Sequence, residues 1–362
     1  MDRRSFLKTA GLAGSAAAAS TLAAPAIAQG KMELKLVTSW PKNFPGLGTA
    51  PENFAKMVAA ATDNRITIKV FAGGELVPAL KCNDAVQEGT AEMYHSADYY
   101  YQGKSPAYPF FCAVPFGFRP DEIDAWIHHG GGQALWDEVG AQFGVKHLVG
   151  GNSGSQMGGW FRKKVQSLDD IKGLKMRIPG LGGKVIEALG GTSVTLAGSE
   201  ILPALQSGTV DAAEWVGPWN DLAFGFYKVT KFYHWPGFHE PGSMLGFGIG
   251  TKVWESMTPS DQALFQGLAA GINNMTLAEF NANNTAALET LINEHGVELV
   301  EFGDDLYKGF GEASKQVLAD TGKSDPLATK VYESFLDFRK KALRWSDLSD
   351  RGYMNKRALV DF

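Results

Sequence analysis

Hydrophobic and polar residues alternate from Glu33 to Thr38, recur at helical spacing from Thr49 to Ala61, and alternate again through the β-branched run Ile66 to Phe71. Period two predicts strands and period 3.6 a helix, so the pattern opens strand, helix, strand. A helix over about Pro78 to Gln87 stops at Gly89 and leads to a short strand through Glu92 to Ser96. A helix over Pro120 to Phe143 and a strand over Val145 to Val149 follow. Such alternation predicts an α/β fold on a parallel sheet. From about Pro259 the pattern changes to long helices, Ala263 to Glu294 and Asp304 through Leu343, the second broken near Gly322 to Pro326.

One stretch repeats. Ala85 to Glu92 (AVQEGTAE) returns 119 residues later as Ala204 to Asp211 (ALQSGTVD). In each copy an apolar helix ends at a glycine, the favoured residue just past a helix C-terminus, and a short strand follows. The same helix-turn-strand unit is therefore expected once in each of two domains. Ligands of open α/β sheets bind beyond the carboxyl ends of strands, which puts His95 to Tyr100 on one wall of a crevice and Glu214 to Trp219 on the other.

Length agrees: 362 residues, 44% of them hydrophobic, suffice for two cores. The expected division is a signal at 1–28, an α/β domain at 29–150, a second at 151–258, and helices at 259–362 that pack across both. Residues 1–28 combine Arg3-Arg4, a Gly/Ala-rich middle and Ala26-Ile27-Ala28, the pattern of a twin-arginine export signal. That implies the bacterial periplasm, where Cys82 and Cys112 either pair or stay as two buried thiols. Removing a segment with Asp2 against Arg3, Arg4 and Lys8 takes the formal charge from -5 to -7. A net-negative chain is a poor partner for nucleic acid. The basic, amphipathic stretch Asp337 to Trp345 reads either as a solvated helix face or as a partner helix in a homodimer.

Enzyme templates find no match: there is no Cys-x-x-Cys, His-Glu-x-x-His, Gly-x-Ser-x-Gly or phosphate loop. Gly246-Phe247-Gly248-Ile249-Gly250 lies in a β-like run and reads as strand packing. His128 and His129 point about 100° apart on a helix and cannot share a metal. Three regions remain. Arg177 ends an alternating strand before Pro179-Gly180, where its guanidinium serves either a surface ion pair or a carboxylate held bidentately. Glu214, in Glu214-Trp215-Val216-Gly217-Pro218-Trp219, and Glu240, in Trp235 to Gly242, are set among aromatics and prolines. Read from the residues alone they are either two separate loop glutamates or, with the Trp215 carbonyl, an oxygen-rich site for a hard cation. Of the nine tryptophans, Trp215 and Trp219 are expected at the ligand wall, and Trp126, Trp136, Trp254 and Trp345 in packing.

The export signal, Gly173-Leu174-Lys175-Met176-Arg177-Ile178-Pro179, the Gln206-x-Gly-Thr-x-Asp211 helix end and the late long helices carry a resemblance. Over essentially the whole mature length the chain resembles the solute receptors of tripartite ATP-independent periplasmic (TRAP) transporters. The resemblance implies a two-domain periplasmic binding-protein fold with the ligand cleft between domains, no covalent chemistry, and delivery of an organic acid to a membrane permease. It implies that Arg177 holds the ligand carboxylate. Gly154-Ser155-Gln156-Met157-Gly158, Glu214 to Pro218 and His239-Glu240-Pro241-Gly242 look like the subgroup for 2-oxo acids such as pyruvate, which bind with a metal ion. That implies Gln156 on both ligand and cation; Glu214, the Trp215 carbonyl and Glu240 on the cation; and Tyr99 and Tyr100 as hydroxyl donors from the opposite domain. It favours Na⁺, with Ca²⁺ open, and makes a homodimer plausible. The rivals are a receptor for hydroxy acids or larger or aromatic acids, and a metal-assisted lyase or hydrolase using His239 beside Glu240.

Overall fold

The computed structural model describes residues 30–361, so the signal read at 1–28 lies outside the described residues. The first alternating runs form β1 (Met32–Thr38), β2 (Ile66–Phe71) and β3 (Met93–Ser96), with α1 (Thr49–Ala61) and α2 (Cys82–Gln87) between them. The helical stretch after Pro120 divides into α3 (Pro120–His129) and α4 (Gly132–Ala141), not the single helix its periodicity predicts. Gly130-Gly131 separates them, and Gly131 takes φ +87°, a conformation the helix cannot continue through.

After β4 (Val145–Asn152) the chain enters a second sheet through β5 (Gly159–Phe161), β6 (Lys175–Arg177), β7 (Thr192–Val194), β8 (Ala212–Ala213) and β9 (Phe232–Trp235). The helices α5 (Gly180–Ala188), α6 (Gly198–Ser207) and α7 (Pro218–Phe224) are interleaved with them. β10 (Met244–Gly250) then returns to the first sheet, whose order is β2-β1-β3-β10-β4. Residues 244–250 fall in the stretch read from sequence as the second domain, yet they pair antiparallel with both β3 and β4. The first sheet is therefore mixed, not purely parallel, and so is the second, where β5 runs antiparallel to β8 and β9. The Gly-x-Gly alternation of β10 is a packing device: a Cβ at Gly246 would lie 2.9 Å from the Trp136 ring, and one at Gly248 would lie 2.0 Å from the Tyr94 ring.

After α8 (Thr251–Ser256), α9 (Pro259–Asn293) packs on β4 of the first sheet and on α7, the helix that follows β8 of the second. It starts where Thr258 accepts a hydrogen bond from the Asp261 amide, with Pro259 at the first helical position. β11 (Glu298–Glu301) completes the second sheet, order β11-β9-β5-β8-β6-β7. α10 (Asp304–Gly322) and α11 (Pro326–Leu348) follow, then α12 (Asp350–Arg357). The break between α10 and α11 is a cap: the Asp325 carboxylate accepts from the amides of Leu327 and Ala328.

Trp126 and Trp136 are buried, each stacked on Phe111 at 5.4 and 5.6 Å between ring centroids. Each such pair adds about 1 kcal/mol beyond area burial. Trp254 is half-buried. Trp345 corrects the sequence reading, being 68% exposed. Cys82 and Cys112 are free buried thiols, so the open choice between pairing and separate burial resolves to the latter. Among the described residues no helix is long and apolar enough to cross a membrane.

Candidate functional site

Two segments carry the chain between sheets beside one cavity, residues 153–158 after β4 and 236–243 before β10. They are tied together by the Ser153 amide donating to the Ser243 carbonyl at 3.1 Å and the Gln156 amide to the Glu240 carbonyl at 3.0 Å. The cavity is narrow, with about 10 Å³ of room for the centre of a water-sized sphere, and is lined on the first-sheet side by Trp40, Leu47, Tyr99, Tyr100 and Leu245. Ser153, Gln156, Trp215, Val216 and Ser243 line the rest. Tyr99 and Tyr100 belong to a 3-10 turn (Asp98–Tyr101) that begins two residues after β3. Glu214 and Trp215 directly follow β8, so both loops beyond the repeated helix-turn-strand units do meet across the cavity.

Arg177 is not on the surface. β6 lies between β7 and β8, and the side chain is 1% exposed. Its Nη1 donates to the Glu214 carboxylate at 2.5 Å and to the Glu214 carbonyl at 2.8 Å. Nε and Nη2 hold the Leu196 carbonyl at 3.3 and 3.2 Å, and Nη2 reaches the Tyr100 hydroxyl at 3.3 Å. The guanidinium also lies 5.3 Å from the Trp215 ring centre. The second Glu214 oxygen meets His239 Nε2 at 3.2 Å. One ligand atom each from Glu214, His239 and Glu240 falls within a 4.8 Å group, and all three residues are buried.

Gln156 Nε2 donates to Glu240 at 2.8 Å and to the Ser153 hydroxyl at 2.9 Å, which leaves Gln156 Oε1 buried without a partner. Among the described residues no hydrogen bond reaches the Trp215 carbonyl. Two carboxylates, an orphaned amide oxygen and a free carbonyl fit a hard cation, whose preferred ligands are oxygens.

The electrostatics fit as well. Burial, and then the neighbouring Glu214 charge, push Glu240 up to about 7. Burial alone would lower His239, but its bond to Glu214 and the two carboxylate charges outweigh that and raise it. Burial also pushes the Tyr100 hydroxyl up to about 12, keeping it a donor. A cation on Glu240 favours the carboxylate, so cation binding below pH 7 must expel a proton. Apparent cation affinity is therefore expected to fall, by up to about tenfold per pH unit, as pH drops from 7 to 5.5. Calorimetry in buffers of different ionisation enthalpy reads the released proton; pH-independent affinity would contradict the assignment of Glu240.

All the sequence-derived candidates, Gln156, Arg177, Tyr99, Tyr100, Glu214, Trp215 and Glu240, thus lie at or directly behind the cavity. Trp219 does not line it; its ring packs on Phe280 of α9 at 5.3 Å. Trp40, Ser153 and Ser243 are additions. Trp40 sits edge-on to Trp215 at 6.1 Å, and its indole donates to His95 Nδ1 at 2.8 Å. His239 is an addition too, as a partner of Glu214 and not merely the neighbour of Glu240 in the chain.

Two mixed α/β sheets flanking a buried cavity of this kind define a two-domain solute-binding protein. A family model described as "Bacterial extracellular solute-binding protein, family 7" matches residues 36–325, and the chain belongs to that family, the solute receptors of TRAP transporters. A monocarboxylate 2-oxoacid-binding periplasmic protein of Nostoc sp. is 40% identical over 321 residues, 89% of this chain and 88% of that one. The crystal structure of a TRAP transporter solute-binding protein from Bordetella bronchiseptica is a mixed-occupancy dimer, with copurified calcium and picolinate in one active site and the other apo. It matches with TM-score 0.89 at 33% identity, covering 91% of this chain and 98% of that one. That of a TRAP periplasmic solute-binding protein from Pseudoalteromonas atlantica, with bound sodium and pyruvate, matches with TM-score 0.87 at 34% identity, covering 90% and 99%.

Proposed function

We propose that this chain is a periplasmic receptor that closes on a small, pyruvate-like 2-oxo monocarboxylate together with a metal ion and delivers the acid to its TRAP permease. The observation that carries this reading is the buried group of Arg177, Glu214, Glu240 and the unpartnered Gln156 oxygen, next to the narrow cavity lined by Tyr99, Tyr100 and Trp215. The named ligands of the Nostoc and Pseudoalteromonas proteins support it.

In this reading Gln156 Oε1, Glu214, the Trp215 carbonyl and Glu240 hold the cation, which offers the adjacent carboxylate and keto oxygens of the acid a common chelation point. Arg177 orients the carboxylate, Tyr99 and Tyr100 donate from the opposite wall, and Trp40 and Trp215 exclude water. Two glutamates and one ligand carboxylate against Arg177 leave -2, which Ca²⁺ neutralises and Na⁺ reduces to -1; relatives with either ion support a metal without choosing between them. The lobes are taken as 29–150 and 151–258, with β10 returned to the first and 259–362 packed across both. A homodimer through the C-terminal helices belongs to the same reading, supported by exposed Trp345, Leu348 and Met354.

Picolinate in the Bordetella relative supports a second reading, a receptor for aromatic acids. The His239–Glu214 pair favours a third, an enzyme with a carboxylate-oriented base, but His239 does not line the cavity. Calorimetric titration with pyruvate, acetate and picolinate at saturating cation separates them. Pyruvate is expected to bind at least about a hundredfold more tightly than acetate, which lacks the second chelating oxygen. Equal affinities would refute the 2-oxo reading, tighter picolinate would favour the second, and turnover of pyruvate the third.

A further inference from the structure

The repeat seen in the sequence has a counterpart behind both walls of the cavity. Asp98, 1% exposed, accepts one indole N–H and one phenol: Trp136 Nε1 at 2.7 Å and Tyr94 Oη at 2.9 Å. Asp221, also 1% exposed, accepts the same pair of groups: Trp160 Nε1 at 2.9 Å and Tyr233 Oη at 2.7 Å. All four donors are fully buried. An unpaired buried carboxylate is expensive, so each aspartate is fixed by its donors and fixes whatever else it holds.

What each aspartate holds is different. Asp221 uses its other oxygen to accept from the Val216 amide at 3.2 Å. That N–H and the Trp215 carbonyl belong to one planar peptide unit, so the bond sets the direction in which the carbonyl points. Asp98 opens the 3-10 turn that carries Tyr99 and Tyr100 into the cavity. Room for its donors comes from β10, where Gly246 faces Trp136 and Gly248 faces Tyr94.

We propose that Asp221 and Asp98 are paired positioning residues that act independently, Asp221 aiming the Trp215 carbonyl at the cation and Asp98 presenting Tyr99 and Tyr100 to the acid. This rests on the functional reading above. The two therefore divide the site by ligand: the second-sheet anchor governs the metal, and the first-sheet anchor governs the organic acid.

The test is a split measured on Asp221→Asn and Asp98→Asn. Asparagine keeps the shape but offers one acceptor oxygen and turns an NH₂ toward existing donors. Ca²⁺ and Na⁺ binding without acid are read by thermal shift, and pyruvate binding at saturating cation by calorimetry. Asp221→Asn is expected to weaken cation binding about tenfold or more, the usual effect of losing a group that orients a metal ligand. Asp98→Asn is expected to leave cation binding within about twofold and to weaken pyruvate about tenfold. Tyr233→Phe and Tyr94→Phe, which remove one donor each and keep the ring, are expected to reproduce the same split at smaller amplitude and decide the matter if an Asn variant does not fold. Equal losses of both ligands in all variants, or no loss in folded variants, would overturn the proposal. A wild-type protein that binds neither ion nor pyruvate would overturn the functional reading, and this proposal with it.

Discussion

Arg177→Lys is expected to weaken pyruvate binding at least about a hundredfold while leaving the protein folded. The charge is kept, so Glu214 still faces a cation. What is lost is the planar fork, which at once holds the Leu196 carbonyl, the Glu214 carbonyl and carboxylate, and the Tyr100 hydroxyl. An ammonium with three donors on a flexible stem cannot span those partners and also meet a carboxylate edge-on. Loss of a buried, hydrogen-bonded charge contact costs about 2–5 kcal/mol in binding, and about 2.7 kcal/mol is a hundredfold. Arg177→Ala should behave differently. It leaves Glu214 buried beside Glu240 with the His239 ring as its remaining side-chain partner, and stability is expected to fall by about 3–5 kcal/mol. Calorimetry for the ligand and thermal melts for the fold check both, and unchanged pyruvate affinity in Arg177→Lys would remove the guanidinium from the ligand's carboxylate.

The elements with strong periodicity were legible in the chain. β1, α1 and β2 follow their alternation and helical spacing, and the repeated Gln-x-Gly-Thr unit led to the two loops that face each other. Partner choice was not legible. A glycine alternation such as Gly246 to Gly250 reads as strand, but nothing local says that it lies between β3 and β4 after an excursion of some ninety residues in another sheet. The Pro120 to Phe143 periodicity runs through Gly130-Gly131-Gly132 unchanged, while the backbone there does not.

The site was legible by residue type and less so by environment. Alternation puts Lys175 and Arg177 on one side of a strand, yet Lys175 is exposed at its open end and Arg177 is buried. Burial is decided by β7, β8 and the helices over them, which no window around residue 177 contains. His239, Ser153 and Trp40 acquire roles only through long-range contacts: to Glu214, to Gln156, and to Trp215. Trp345 shows the converse: α11 buries Ala328, Val331 and Phe335 but leaves Leu343, Trp345 and Leu348 exposed at its C-terminal end.

Removing the cation should have the other large effect. Without it, an entering carboxylate meets Glu214, already shared between Arg177 and His239, and Glu240, whose charge burial disfavours. At short range in a low-dielectric site that repulsion is worth several kcal/mol, so pyruvate affinity is expected to fall at least about a hundredfold. Coupling is reciprocal, and pyruvate must raise cation affinity by the same factor. The decisive measurement is tryptophan fluorescence of the EDTA-dialysed protein, with Trp40 and Trp215 at the cavity as reporters, during pyruvate titration with and without added Na⁺ or Ca²⁺. A saturable response that requires one of these ions is the predicted result; an equally tight response in EDTA, or none with either ion, would contradict joint binding of acid and cation.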